Sequence, residues 1–417
     1  MKIKLLLLAF AAIAFAAPAP GRSQETIGDR VLRLAGHWAD STSGLCSAPI
    51  GPRHAEDISC SDGCCGECNC CCRRLDVFGS VEYLMWWAKG THLPPLVTTS
   101  DPGTLQPDAG VLGLPSTTIL FGNEYVGKDM QVGGRVMLGI WLDQEHNVAA
   151  GGRFFGLGGD TTQFTATSDG SEILARPFFN AFLGIDDALL IAFPGFAAGS
   201  VAATHDTLNI IGTEAFMEIM MSRDQCRRLS LVGGYQFMRL DDRLQIVSNH
   251  TLLQPGLQFN ITDRFKAYNE FHGGEFGLRG QMFRGCWSLD ALAMVALGGM
   301  RQEVVIEGET VITPPGGGPI ATQGGLLAQP SNIGTYERGK FTYIPSLTLN
   351  LKYHVNPCLN FFLGYNLIFL GDVALSGDQI DLRVNLNQPV GPPLPAFTFQ
   401  DRDYWIQGMN FGASWDF

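Results

Sequence analysis

The chain has 417 residues, of which 46% are hydrophobic and only 16% are charged, and its formal net charge is −12. This composition is too apolar and aromatic for a disordered protein and low in charge for a soluble one. The acidic balance argues against nucleic acid as a partner. After the first twenty residues no stretch offers about 18 consecutive apolar residues, so no transmembrane helix is predicted there.

The first residues, MKIKLLLLAFAAIAFAAPAP, have the features of an export signal. Lys2 and Lys4 form a basic region, the run from Leu5 to Phe15 is apolar, and Ala14-Phe15-Ala16 fits a cleavage site of small residues. An anchoring helix is the alternative, but the run is short and two prolines follow it. We predict a signal peptide over residues 1–16.

Residues 17–75 contain a dense cysteine cluster, centred on CSDGCCGECNCCCRR. A zinc ribbon needs two CxxC pairs about 15–20 residues apart, and these are absent. Adjacent cysteines do occur in multi-metal thiolate clusters, so metal binding stays an alternative, whereas a redox CxxC would need a βαβ context. Because exported thiols tend to be oxidised, we predict a disulfide-bearing periplasmic segment. The disulfide candidates are Cys46, Cys60, Cys64, Cys65, Cys68, Cys70, Cys71, Cys72 and three later cysteines, Cys226, Cys286 and Cys358.

From residue 76 onwards the sequence alternates between apolar residues and small or polar ones, which is typical of β-strands. In the last fourteen residues, YWIQGMNFGASWDF, the large apolar side chains share one parity. Bacterial outer-membrane barrels resemble this in ending on an aromatic residue of an amphipathic strand. Phe411, Trp415 and Phe417 are therefore the candidate C-terminal membrane-insertion signal.

Ten segments alternate in this way: residues 77–88, 132–143, 148–157, 208–222, 228–240, 269–283, 286–299, 341–354, 359–371 and 404–417. Short turns join some of them, and the long connections cover 90–130, 158–207, 241–265, 300–340 and 372–403. Backbone hydrogen bonds must be satisfied within a membrane, so the sheet must close. We predict an all-β, transmembrane antiparallel β-barrel over residues 76–417, with about ten strands, short periplasmic turns and long extracellular loops. Short strands in the loops would raise the count to twelve or fourteen.

The face opposite the apolar one carries charges of both signs. Such charges are tolerable inside a barrel only when they are paired or wet. We predict a salt-bridge network or a narrow wet lumen formed by Glu82, Arg135, Arg153, Glu214, Glu218, Glu275, Arg279, Asp290 and Lys352. The acidic pairs Asp186-Asp187 and Asp241-Asp242 are expected to be solvated turn charges, with calcium binding as the alternative.

Three stretches resemble a known family: FGSVEYLMWWAKGTHLPPLVTTS at 78–100, ILFGNEYVGKDMQVGGRVMLGIWLD at 119–143 and GGRFFGLGGDTTQFTATSDGSEILARPFFN at 151–180. They are similar to the putative beta-barrel porin (type seven) family of planctomycete outer membranes. The resemblance extends from about residue 76 to the end of the chain and implies an outer-membrane barrel. It supplies no catalytic motif, and it leaves the cysteine-rich segment unexplained.

A ten-stranded barrel is only slightly wider than barrels filled by side chains, and much narrower than general porins of roughly 16–18 strands. We therefore expect a narrow or gated channel for small solutes in the bacterial outer membrane. The alternative is a structural or adhesion protein with a plugged barrel, cross-linked to other envelope proteins by periplasmic disulfides. His205, expected in a loop, and His272, expected at a strand rim, lack a nucleophile in a recognisable context, so no enzyme activity and no cofactor are predicted.

Overall fold

The computed structural model describes residues 76–356 and 358–416, apart from the side chains of Leu208 and Asn209. The signal peptide, the cysteine-rich segment with its eight cysteines, and Phe417 lie outside the described residues. Within this range the chain is almost entirely β-sheet, and no helix there is long and apolar enough to span a membrane.

Ten antiparallel strands form a closed ring, which confirms the predicted barrel. They are β1 (Val77–Ala88), β2 (Gln131–Trp141), β3 (Val148–Leu157), β4 (Ala197–Arg223), β5 (Arg227–Leu252), β6 (Gln258–Arg284), β7 (Trp287–Thr313), β8 (Gly334–Asn356), β9 (Leu359–Val373) and β10 (Arg402–Asp416). Each strand pairs with the next along the chain, and β10 closes the ring on β1 with Phe411 opposite Tyr83.

An outward-facing apolar band surrounds the end of the barrel that carries the short turns. On β7 it runs from Trp287 through Leu289 to Leu297, all of them exposed. At about 3.4 Å per residue and a tilt of about 40°, this stretch covers about 26 Å along the membrane normal. That height matches the apolar band of an outer-membrane barrel, and it places the short turns at the periplasmic side.

Five strands, β4 to β8, continue well beyond the apolar band on the opposite side. The predicted boundaries were wrong here: of the predicted loop 241–265 only 253–257 is a turn, the rest belongs to the upper parts of β5 and β6, and 300–313 belongs to β7. The reason lies in a change of pattern. On β5 the apolar residues are outward at Leu229 and Leu231, but inward and buried at Met238 and Leu240. In the sequence, such a change from odd to even apolar positions looks like the end of a strand.

The loops of the five shorter strands fold across the upper barrel and carry short elements of their own. These are the strands Thr91–Leu93, Val97–Ser100, Thr117–Phe121, Glu124–Val126, Asp160–Ser168, Leu174–Asn180, Ile185–Ala192 and Arg383–Val384, and the 3-10 turns Gln106–Asp108 and Ser376–Gln379; Ile320–Gln323 extends the β7–β8 loop. Five of the strands form a small separate sheet, whose Arg383–Val384 strand pairs in parallel with Leu174–Asn180. Their apolar side chains pack against the inner face of the long strands.

Candidate functional site

The nine charges predicted to face the lumen lie together on the inner face of the barrel, at the level of the apolar band. Arg135 on β2 binds Glu82 on β1 at 2.5 Å, and Arg153 on β3 binds Glu214 on β4 at 2.6 Å. Both pairs join neighbouring strands in register, because the partners lie directly opposite each other in the ladder. We call the nine residues the charged layer.

Arg279 connects strands that are not neighbours. Its guanidinium lies 3.0 Å from Glu218 on β4 and 2.6 Å from Asp290 on β7. Lys352 on β8 reaches the same Asp290 carboxylate at 2.9 Å. Because β5 lies between β4 and β6, a bridge from β6 to β4 can form only across the interior. This cluster therefore lies in the lumen of the barrel. Arg279 donates to both Asp290 oxygens, and such bidentate contacts fix orientation as well as charge.

Asparagines complete the charged layer, and the sequence analysis did not identify them. Arg135 donates to the Asn366 amide oxygen at 3.0 Å, Asn366 donates to Asn410 at 2.7 Å, and Asn410 donates to Glu82 at 2.6 Å. A cavity of about 50 Å³ remains among the charged side chains. Glu275 is buried nearby, and its Oε1 has no hydrogen-bond partner among the described residues. The layer is polar and largely paired, with little free space.

Above the charged layer most of the inward side chains are apolar, although Gln131, opposite Trp86, and Thr342 are buried at the same level. Every strand except β2 contributes a buried side chain to one connected cluster: Leu84, Trp86, Ala88, Phe155, Leu157, Ile210, Met238, Leu240, Phe271, Ala296, Met300, Ile344, Ile368, Leu370, Val373, Tyr404 and Ile406, with Leu375 from a loop. The Trp86 and Phe155 rings lie 5.4 Å apart. We call this cluster the apolar layer.

A buried polar cluster ties the loops to the barrel wall above the apolar layer. The Asp242 carboxylate on β5 accepts hydrogen bonds from Thr91 at 2.8 Å, from the Ser376 backbone N–H at 2.6 Å and from the Ser376 hydroxyl. His205 Nε2 on β4 lies 2.8 Å from the same carboxylate. Asp242 is therefore a buried acceptor for two loops. The expectation that Asp241-Asp242 is a solvated turn, and that His205 lies in a loop, was wrong.

The pKa values of His205 and Asp242 shift in opposite directions. Burial disfavours protonation of His205, but the nearby Asp242 carboxylate outweighs it and raises the pKa of His205 above its usual value. Burial likewise disfavours the charged form of Asp242, yet His205 and the Ser376 hydrogen bonds outweigh it and hold the pKa of that carboxyl below its usual value. Both groups thus favour the ion pair.

A second buried ion pair joins another loop to the wall. Arg176, in the small sheet, lies 2.6 Å from Asp263 on β6, and both side chains are at most 1% exposed. The other Asp263 oxygen accepts the backbone N–H groups of Leu327 at 2.9 Å and Ala328 at 2.8 Å. One carboxylate therefore holds two separate loop segments against the wall.

The serine, histidine and aspartate of the Asp242 cluster do not form a nucleophilic triad. In a triad the histidine lies between the serine and the acid. Here Asp242 lies in the middle, so Ser376 donates to the carboxylate and its hydroxyl is not hydrogen-bonded to His205. His272, the other histidine considered from the sequence, lies on the outer surface with Nδ1 2.6 Å from the Tyr235 hydroxyl.

The three later cysteines all lie in short turns on one rim of the barrel. Cys226 follows β4, Cys286 precedes β7 and Cys358 precedes β9. Cys286 is buried, whereas Cys226 and Cys358 are partly exposed. Among residues 76–356 and 358–416 no group of three or more His, Cys, Asp or Glu side chains is placed to hold a metal ion.

Comparisons with known proteins give one family. The sequence model of the family described as "Putative beta barrel porin-7" matches residues 78–417. A search among curated proteins gives no match.

Three solved barrels are distantly similar. The outer membrane protease OmpT from Escherichia coli is 9% identical over 82% of this chain and 97% of its own, with a TM-score of 0.38. A Pseudomonas aeruginosa FadL homologue is 10% identical over 82% and 90%, with a TM-score of 0.22. The P. putida toluene transporter TodX is 9% identical over 82% and 90%, with a TM-score of 0.16. These likenesses are too distant to carry an argument about function.

Proposed function

We propose that this chain, which belongs to the putative beta barrel porin-7 family, is a closed outer-membrane barrel that anchors a folded extracellular unit at the cell surface. The observation that carries the proposal is the apolar layer, to which nine of the ten strands contribute and which lies directly above the charged layer. Moving an ion through such a layer would remove it from water without a partner, which costs several kcal/mol or more.

The extracellular unit supports the same proposal. Three loops fold onto the long strands, and their Phe121, Leu174 and Phe178 side chains share one apolar core with Phe265 of β6. Two buried carboxylates, Asp242 and Asp263, fasten these loops to the wall. Loops that only moved aside for a solute would not need buried ion pairs, because breaking such a pair is costly.

Planar-bilayer recordings of the refolded full chain test the proposal. We expect no discrete conductance steps, under conditions in which a general porin inserted in the same way conducts. The variant Phe341→Ala, which removes an aromatic side chain that is outward and exposed, should give no steps either. Reproducible steps from the unmodified protein would contradict a closed barrel.

The second candidate is the gated channel for small solutes that the sequence analysis expected. The charged layer and its cavity favour it, since they form a polar recess inside the barrel below the apolar layer. In that case the apolar layer is the gate, and Trp86→Ala should raise the conductance of an already active channel. If the unmodified protein conducts and Trp86→Ala leaves its conductance unchanged, the gate lies elsewhere.

We further propose that disulfides at the periplasmic rim join the cysteine-rich segment to the barrel turns or to other envelope proteins. Cys226 and Cys358 support this, because both are partly exposed on the rim that also carries β1, where the segment enters the barrel. If these bonds join separate chains, non-reducing gels of outer membranes should show ladders that collapse to one band on reduction. Cys226→Ser/Cys358→Ser should weaken the ladder. A single band of monomer size under both conditions would contradict cross-linking between chains.

A further inference from the structure

A concavity of about 420 Å³ lies on the outer surface of the barrel, just above the apolar band. It is lined by outward residues of three adjacent strands, β5, β6 and β7, and Tyr268 lies at its centre. The guanidinium of Arg243 lies 5.5 Å from the Tyr268 ring centre, and that of Arg239 lies 6.0 Å from it. The Tyr268 ring thus forms the base of the concavity, with two guanidinium groups beside it.

The height of this concavity is fixed by the strand register. Its lowest row pairs Arg239 with Glu270 and Glu270 with Arg301. The next outward row below, Phe237 and His272, belongs to the aromatic edge of the apolar band. Successive outward residues are about 6.8 Å apart along a strand, or about 5 Å along the normal after tilting. The concavity therefore starts about 5 Å above the hydrocarbon edge, where lipid headgroups lie.

The lining of the concavity alone has more cations than carboxylates, but carboxylates at its margin offset this excess. Its lining has four cations, Arg239, Arg243, Lys266 and Arg301, and two carboxylates, Glu270 and Glu303. Three further carboxylates at the margin, those of Asp241, Glu307 and Glu337, accept from Arg239, Lys266 and Arg301.

Arg243 differs from the other three cations. No ion pair joins it to a carboxylate in the part of the chain that the structure describes, and its buried Nε has no hydrogen-bond partner there. Lys266 lies directly opposite Arg243 in the ladder. The concavity therefore presents an unpaired guanidinium beside an ammonium, which is a suitable arrangement for an anionic oxygen group.

We propose that this concavity binds the phosphate group of a lipid in the outer leaflet. Arg243 and Lys266 contact the phosphate, Tyr268 forms the floor, and the lipid chains extend down along Phe237 and the apolar band. Lipid rather than free phosphate is favoured because the concavity opens directly above the membrane edge, where the chains add apolar contact.

Native mass spectrometry of the full chain in detergent tests the site, with phosphatidylglycerol, diacylglycerol, which has no phosphate, and inorganic phosphate as separate probes. We expect phosphatidylglycerol to be retained, and Arg243→Ala/Lys266→Ala to weaken its retention about ten-fold. The control Arg264→Ala/Arg383→Ala removes the same charge outside the concavity, and should retain the lipid as the unmodified protein does. The mobility of unheated samples on denaturing gels verifies that both variants are folded.

Three outcomes would overturn the proposal. Equal retention of phosphatidylglycerol and diacylglycerol would show that the phosphate is not recognised. Equal losses in the two double variants would show that only the overall charge matters. Competition by inorganic phosphate at the same concentration as the lipid would assign the concavity to a soluble anion.

Discussion

We expect Asp242→Ala to lower the free energy of unfolding by about 3–5 kcal/mol, because it removes one partner of a buried ion pair. Thr91, His205 and Ser376 all lose the acceptor they share. Equilibrium urea unfolding of the refolded protein in detergent measures the change. Because the cluster joins loops to the wall, limited proteolysis should also cleave the loops of the variant sooner than those of the unmodified protein.

Asp206→Asn is a matched control for this variant. Asp206 is adjacent to His205, but among the described residues its carboxylate accepts a hydrogen bond from Thr161 alone, and that bond is exposed. We expect this change to alter the free energy of unfolding by about 1 kcal/mol or less. Equal losses in the two variants would show that the buried cluster has no special role.

The effect of Asp242→Ala should also depend on pH. The pKa of Asp242 is lowered in the folded chain, so its contribution is present above the ordinary value of about 3.9 and is lost as the pH falls. The pKa of His205 is raised, so its contribution is complete below about 6.5 and is lost as the pH rises through the raised value. The difference between unmodified protein and variant should therefore be greatest between about pH 4 and 6.5.

The sequence predicted the membrane-spanning part of the barrel well because one rule governs it there. Outward residues must be apolar to face lipid, and inward residues are then free to be polar, as at Tyr83 and Glu82. The alternation therefore predicted all ten strands, with nearly correct boundaries at the ends that carry the short turns. The same reasoning identified the nine residues that form the charged layer.

The upper barrel was not predictable by that rule, because its inner and outer surroundings are exchanged. Above the band the outward face meets water and the inward face meets the folded loops, so Arg243 is outward and Leu244 is buried inside. A strand that changes parity in this way gives no continuous signal. The contacts of Asp242 and Asp263 with distant loops depend on tertiary folding, which spacing in the sequence does not reveal.

Arg279→Met should destabilise the charged layer by about 3–5 kcal/mol, which is comparable to the effect at Asp242. Arg279 holds Glu218 and Asp290 together, and Met leaves both carboxylates buried, with Lys352 and the Gln281 amide still near Asp290. The barrel wall cannot relax to hydrate them, because its strands are fixed by their ladders on both sides. Urea unfolding measures the change in the free energy of unfolding. The temperature at which the folded band disappears on gels of stepwise heated samples gives a second measure of stability.

A charge-balanced variant separates the loss of pairing from the loss of packing. In Arg279→Met/Glu218→Gln the unpaired glutamate becomes neutral while its size is kept, and Asp290 still has Lys352 at 2.9 Å. If uncompensated charge is the main cause, this double variant should recover at least half of the lost stability. If it is as unstable as Arg279→Met alone, the guanidinium acts by filling space among its neighbours, and the charged layer is held by shape rather than by pairing.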